Sequence, residues 1–350
     1  MSNLTAAQAG NEFQDDMIYV LPPLFIFHGV GAATLSTSSF LTVFPVLAAG
    51  FNVDVLTALS ISILVDAVNG VLLSCVYRKY LVNNRPSVIL LFSGAGATIA
   101  AIFAHYLGIG IIREYDSFWR NGAGYTDFFF AFGFFYRGYT LRKQVILEAN
   151  AEALRVGEGT PKQDMDSPKQ ILKEKLKNHA DDYDEEEGAP QPAKLINVSV
   201  SQASARSMFR SDSEKIKHEP LPPLCSKDWA FPIFAVVVIA ALSGMIGFGS
   251  GNIVAIVWIY SFKWDIVPAT AVGSVFSALV MAAVFSMFLI EDVNTDLMKK
   301  ILPWTLPLDI VAVLAAANFA QLLNEEYLSI LVGFIFLAIG IGVTVVSLAF

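Results

Sequence analysis

Long, nearly uncharged stretches alternate with short polar turns along most of this 350-residue chain. A helix needs about 20 consecutive apolar residues to cross the hydrocarbon core of a membrane. The pattern therefore predicts an all-α bundle of transmembrane helices with a working count of about eight segments. These segments lie at residues 17–53, 55–77, 86–112, 121–136, 229–262, 266–290, 301–323 and 328–350.

Two of the segments, 17–53 and 229–262, are too long for one straight crossing. At 1.5 Å per residue, each would extend about 50 Å as a continuous helix. Each segment must therefore break, tilt or fold back, and a cluster of small residues marks the expected break. The clusters are Ser36-Thr37-Ser38-Ser39 and Gly247-Phe248-Gly249-Ser250-Gly251-Asn252.

The sequence around the two clusters repeats in the same order. In the second half an apolar stretch and then Val267-Pro268 and Gly273-Ser274 follow the cluster, and in the first half Pro45, Gly50 and Thr57–Ser62 follow it. A duplicated bundle with a Gly/Ser-broken helix in each half is typical of secondary transporters. We therefore predict two homologous halves of four segments. Re-entrant hairpins at the clusters would instead make the halves inverted, and the sequence leaves both arrangements open.

The composition supports this class and divides the chain. Hydrophobic residues make up 55% and charged residues 15%, whereas about a quarter of a soluble domain is charged. The net charge of −8 and the lack of a basic face argue against nucleic-acid binding. We predict a polar tail at 1–16, a first transmembrane repeat at 17–139, a disordered linker at 140–227 and a second repeat at 228–350.

Charge near the ends of the segments predicts an orientation. With eight crossings, the linker and both termini share one side of the membrane. That side also receives most of the Lys and Arg residues, including Arg78, Arg137 and Lys227. Because basic residues concentrate on the cytoplasmic side, the linker and termini are predicted to be cytoplasmic.

The duplicated pattern resembles the sulfite exporter (TauE/SafE-like) family of membrane transporters. The second half is the closer match, and the first half has serines and a threonine where the family has a glycine run. The resemblance implies efflux or exchange of a small anion, such as sulfite or an organosulfonate, by alternating access. The residues that carry it are Gly247, Gly249, Gly251, Pro268, Ala271, Gly273 and Ser274, with Pro45, Gly50, Ala58 and Ser60 in the first half.

The two clusters are the predicted substrate site. Free N–H groups and the positive end of a half-helix favour an anion, and the segments contain almost no basic side chain that could do so. The alternative is that these small residues only let helices pack closely. The predicted substrate-binding residues are Ser36, Thr37, Ser38, Ser39, Gly249, Ser250, Gly251 and Asn252.

Asp66 and Asp309 are the predicted coupling groups for a proton or another cation, because a carboxylate inside a membrane is costly and is by default a functional hypothesis. Either residue could instead cap a helix or accept hydrogen bonds from neighbouring segments. His28 and His105 are more often hydrogen-bonded structure than functional groups. Asn252 could bind substrate or join helices, and Asn318 has a weaker claim to either role.

Other functions find less support. The glycines near Ser250 lack the strand-to-helix turn of a nucleophile elbow and the βαβ unit of a dinucleotide site, so we predict neither an enzyme nor a cofactor. No metal-ligand cluster occurs in the segments. Serines near Ser211 resemble kinase sites. An anion channel or a non-transporting signalling protein remains an alternative, and the sequence does not determine the oligomeric state.

Overall fold

The computed structural model describes residues 14–82, 95–108, 128–147, 227–247, 249–291 and 293–349, and these residues form helices and turns without a strand. In the first part, α1 is Met17–Leu35, α2 is Ser39–Gly50, α3 is Val55–Val76, α4 is Arg78–Val82, α5 is Ala95–Gly108 and α6 is 128–147. In the second part, α7 is Ala230–Ile246, α8 is Ser250–Phe262, α9 is Ile266–Phe288, α10 is Thr295–Leu322 and α11 is Glu325–Ala349.

Six of these helices are long and apolar enough to cross a membrane, namely α1, α3, the helix that begins at Lys227 and includes α7, α9, α10 and α11. Helix α6 continues to residue 147, past the predicted start of the linker at residue 140. The predicted disorder of the rest of the linker and the kinase sites lie outside the described residues, as does the N-terminal tail up to residue 13.

Each of the two overlong segments folds back as a hairpin of two helices. The Gln14 side chain donates a hydrogen bond to the Phe51 carbonyl at 3.2 Å, so the chain just before α1 lies beside the end of α2. In the second hairpin, the ring of Trp229 before α7 lies 5.0 Å from the ring of Phe262 at the end of α8. Both hairpins therefore return to the end of the bundle from which they start, as the re-entrant alternative requires.

The backbone adopts the same conformations at both hairpin tips. Ser36 (φ 50°, ψ 38°) ends α1 and Gly247 (φ 68°, ψ 15°) ends α7, both in the left-handed region. Two residues later, Ser38 and Gly249 are extended and begin α2 and α8. Each pair is separated by 211 residues (247 minus 36, 249 minus 38), so one backbone pattern serves both halves. The same offset relates Asn52 to Lys263, both at positive φ, and Asp54 to Asp265, which precede α3 and α9.

Helices α3 and α9 cross at the centre of the bundle and run antiparallel. Gly70 of α3 packs directly against the backbone of Ala278 in α9. The backbone N–H of Asn294, which follows α9, donates to the Thr57 hydroxyl near the start of α3 at 3.0 Å. The end of α9 therefore lies beside the start of α3, and the two hairpins begin at opposite ends of the bundle.

The two ends hold different parts of the chain. The N-terminal end of the bundle contains Gln14 and Thr57, and the linker end contains Trp229 and Ile266. The shared side predicted for the linker and the N-terminus does not fit this arrangement. That prediction came from counting each overlong segment as one crossing, whereas each hairpin returns to the end of the bundle from which it starts.

An ion pair between α6 and α11 lies beside the start of α9 at the linker end. Arg137 donates to Glu325 at 2.9 Å and to the Trp264 carbonyl at 3.3 Å. Glu325 also accepts the backbone N–H of Ile266, at 3.0 and 3.1 Å to its two carboxylate oxygens. The carboxylate thus satisfies a free donor at the beginning of α9.

Candidate functional site

The two hairpin tips meet at the centre of the bundle. Gly249 lies against the Ser38 side chain, where a Cβ atom would have no room, and Gly251 lies against Ser36, to whose Cβ an added Cβ would stand at 3.1 Å. The Ser36 hydroxyl lies 3.0 Å from the Ser274 hydroxyl of α9. The structure thus brings together the two clusters that the sequence separates by about 200 residues.

The side chain of Asp66, a residue of α3, caps the start of α2. Its carboxylate accepts the Ser38 hydroxyl and the Ser39 backbone N–H, both at 2.7 Å, and the residue is 4% exposed. The Ser39 hydroxyl donates to the Ser62 carbonyl, also on α3. In this conformation, a carboxylate of the same chain therefore occupies the place predicted from the sequence for an anion.

The start of α8 has no such cap. Gly249, the residue before α8, has no side chain that could cap the helix. The Ser250 hydroxyl and the Asn252 amide nitrogen are buried without a hydrogen-bond partner among the described residues. With the offset of 211 residues, the position equivalent to Asp66 is Ser277. Its hydroxyl donates to the Asp66 carbonyl at 3.4 Å and leaves α8 uncapped. The two breaks have the same backbone conformation, but only the first is capped by a carboxylate.

A buried polar cluster surrounds Asp66. His28 of α1 lies with Nδ1 2.9 Å from the Thr42 hydroxyl, Nε2 3.4 Å from the Asn69 amide nitrogen and Nε2 3.8 Å from Asp66 Oδ1. Asp309 of α10 is fully buried near Asn69 and Asp66, and neither of its carboxylate oxygens has a hydrogen-bond partner among the described residues. The structure thus places Asp66 and Asp309, the two residues predicted as coupling groups, in one cluster with His28.

Asp309 also fixes how α10 packs against α1. A Cβ added at Gly29 would lie 2.7 Å from the Asp309 carbonyl and 3.0 Å from its Oδ1, so only glycine allows this approach. Within the described residues, no Lys or Arg forms an ion pair with Asp66 or Asp309. The cluster therefore holds two carboxyl groups with His28 but without a lysine or arginine to balance them, and burying unbalanced charge is costly.

A small cavity lies next to Asp66 at the tip of the first hairpin and has room for about one water molecule. The Thr37 hydroxyl and Asn69 Oδ1 have no hydrogen-bond partner among the described residues, although both residues are 2% exposed and line this cavity. The site is closed in this conformation, because an oxyanion of several heavy atoms needs more space. The lining residues are Ala32, Ser36, Thr37, Asp66, Asn69, Gly70, Leu73 and Ser277.

Two residues considered in the sequence lie away from this cluster. Asn318 is exposed, and its side chain donates to the Leu314 carbonyl of its own helix. His105 lies 3.9 Å from Glu291 and packs against Phe288, near the N-terminal end of the bundle.

Sequence reasoning missed Asn69 and Ser277 as site residues. Asn69 follows Asp66 by three positions and therefore lies on the same helix face, which could have identified it. Ser277 could have been found by placing the second break under the first with the offset of 211 residues. No group of three or more His, Cys, Asp or Glu residues in the described parts of the chain could hold a metal ion.

Comparison with known proteins finds one matching family. Residues 193–343 match the family described as Sulfite exporter TauE/SafE, which is a family of membrane transporters rather than enzymes. The match includes α7 to α10 and most of α11, and it begins inside the predicted linker. Neither a curated protein nor a solved structure matches the chain. With six apolar helices of spanning length, the chain is a multi-pass integral membrane protein whose residues 193–343 match the sulfite exporter TauE/SafE family, as the resemblance predicts.

Proposed function

We propose that this protein is a secondary carrier of a small oxyanion, with sulfite or an organosulfonate as its substrate class. The contact between the two hairpin tips is the observation that carries the proposal, because Gly249 and Gly251 of one tip lie directly against Ser38 and Ser36 of the other. In many transporters, two broken helices that meet at the centre form the substrate site. The family match supports the anion class.

In this proposal the anion binds between the tips. The start of α8 supplies backbone N–H groups at its positive end, together with the Ser250 hydroxyl and the Asn252 amide, whose donors lack partners in the closed conformation. The first tip adds the hydroxyl-bearing residues Ser36–Ser39. A site of this kind recognises an oxyanion by hydrogen bonding and needs no basic side chain.

Transport then requires the tips to separate toward one end at a time. We treat the two halves as homologous and inverted, because α3 and α9 are antiparallel and the hairpins begin at opposite ends. Rocking one half against the other opens the cleft to one side of the membrane and closes it to the other. Asp66 and Asp309 carry the coupling proton or cation.

The charge distribution supports an orientation for this carrier. Basic residues near the ends of described helices are concentrated at the linker end, whereas Lys299 and Lys300 lie at the N-terminal end. The linker therefore faces the cytoplasm and the N-terminus the opposite side. The basic residues at the linker end are Arg78, Lys79, Arg137, Arg142, Lys143, Lys227 and Lys263.

Uptake of labelled sulfite into proteoliposomes that contain the purified full chain tests this function. We expect saturable uptake that responds to a pH gradient, and we expect Asn252→Ala to reduce it at least tenfold. Asn318→Ala is the matched control, because it removes an exposed amide that bonds only within its own helix. Uptake no greater than in empty liposomes would refute the carrier, and uptake that does not saturate would indicate a channel.

A further inference from the structure

We propose that the Asp66 carboxylate competes with the substrate oxyanion for the donors of the first hairpin tip, so that each anion enters together with one proton that neutralises Asp66. This inference rests on the proposed transport function and specifies how its site is controlled. It makes the protein a symporter of protons and anions, in which both ions leave the site on the same side of the membrane.

The donors that hold Asp66 are those that a helix start offers to an anion. Its two carboxylate oxygens accept the Ser38 hydroxyl and the Ser39 backbone N–H at 2.7 Å each. A sulfite or sulfonate group also presents negatively charged oxygens, at a similar spacing, to such donors. The carboxylate and the substrate therefore cannot use these donors at the same time.

Two further polar atoms at this tip are available to a ligand. The Thr37 hydroxyl and Asn69 Oδ1 belong to residues that are 98% buried, both line the cavity beside Asp66, and neither has a partner among the described residues. Buried polar groups without a hydrogen-bond partner are rare in protein cores, and a bound ligand or water can explain them. The hydroxyl can donate to an oxyanion, and Asn69 Oδ1 can accept the proton of a neutral Asp66 carboxyl group.

Charge balance requires the proton. The titratable groups that face Asp66 are His28 from α1, at 3.8 Å, and Asp309 from α10. The neighbouring residues of α8 and α9, Gly249 and Ser277, bring no titratable group. An oxyanion that arrived beside two ionised carboxylates would meet strong repulsion in a buried site. When Asp66 takes a proton, it loses its charge and weakens its hold on Ser38 and Ser39.

The second hairpin tip has no equivalent competitor. Ser277 stands at the position that Asp66 occupies in the first half, and a hydroxyl neither carries a charge nor caps α8. Because Asp66 is the one carboxylate that holds donors of a hairpin tip, neutralising it implies one proton per anion.

The test measures binding of methanesulfonate, whose charge is constant between pH 5.5 and 8, to the full chain in detergent. For the wild type we expect affinity to fall up to about tenfold for each unit of increasing pH, as linkage to one proton requires. Asp66→Asn should bind with an affinity that does not change with pH. Asp296→Asn, which alters a side chain that is 83% exposed, should keep the wild-type slope.

A second measurement needs only the wild-type protein, in case Asp66→Asn does not fold. Calorimetry in buffers of different ionisation enthalpy should show that about one proton is taken up for each methanesulfonate bound. Binding without proton uptake, or an Asp66→Asn variant with the wild-type slope, would overturn the competition while leaving the carrier function intact. No binding of methanesulfonate or sulfite by the wild type at any pH would overturn both.

Discussion

Replacing Gly70 with alanine should force apart the two helices at the centre of the bundle. A Cβ atom on Gly70 would lie 2.5 Å from the Ala278 backbone nitrogen, 2.9 Å from the Ala278 Cα and 2.9 Å from the Ser274 carbonyl oxygen. All three are backbone atoms of α9, so no side-chain rotation can relieve the overlap. Because atoms in contact are most favourably about 3.5 Å apart, α3 and α9 must separate by about 1 Å at this point.

The energetic cost follows from two opposing terms. Inserting a methyl group into a well-packed interior typically costs about 1–3 kcal/mol. Alanine in place of glycine inside a helix returns up to about 1 kcal/mol. Gly342 of α11 isolates the second term, because an added Cβ there meets nothing within 4 Å. The difference in stability between Gly70→Ala and Gly342→Ala is therefore about 1–3 kcal/mol, with the helix-propensity gain cancelled.

Thermal unfolding of the purified variants in the same detergent measures this difference. We expect Gly342→Ala to unfold at or above the wild-type Tm and Gly70→Ala to unfold clearly below it. The Gly70 variant should also transport more slowly, because the Ser277 hydroxyl and the Asp66 carbonyl that it contacts lie beside the crossing. Equal Tm values for the two variants would contradict the reasoning, since they would mean that α3 and α9 separate without cost.

Two further predictions concern the ends of the bundle. Arg137→Ala should lower the free energy of unfolding by about 3 kcal/mol, because it leaves the partly buried Glu325 without its cation. Arg137→Lys should restore only part of that stability, since one ammonium group reaches Glu325 and the Trp264 carbonyl less well. Chemical unfolding in detergent measures the stability of both variants. Single cysteines at Gln14 and Lys227, in a background without native cysteines, should react with an impermeant maleimide from opposite sides of the membrane. Labelling from the same side would contradict the inverted arrangement.

The hydrophobic pattern predicts where the helices are but not the direction in which they run. The segments predicted at 55–77 and 266–290 match α3 and α9 within two residues at each end. The overlong segments correctly indicate breaks at Ser36–Ser39 and near Gly249. Whether the chain continues or folds back after a break depends on contacts such as Gln14 with Phe51, which hydropathy does not encode.

The candidate site shows a similar division. Asp66 and Asp309 stand out in the sequence because each interrupts an apolar run. Their mutual proximity depends on how α3 and α10 pack, and the capping of Ser39 by Asp66 joins residues 27 positions apart on different helices. The left-handed conformation of Ser36 could not be predicted either, because residues other than glycine, asparagine and aspartate rarely adopt it.

The capping of α2 by Asp66 also has a consequence for the order in which contacts form during synthesis of the chain. Asp66 follows Ser39 by 27 residues, whereas the partners of the Ser36 hydroxyl follow it by 234 and 238 residues. At about 5–20 residues per second, a ribosome adds Asp66 within a few seconds but reaches Ser274 only after roughly 10–50 s. During that interval the polar tip of the newborn hairpin stands in the membrane without its second half. We therefore expect Asp66, which competes with the substrate in the finished protein, to cap the first hairpin tip while the rest of the chain is still being synthesised.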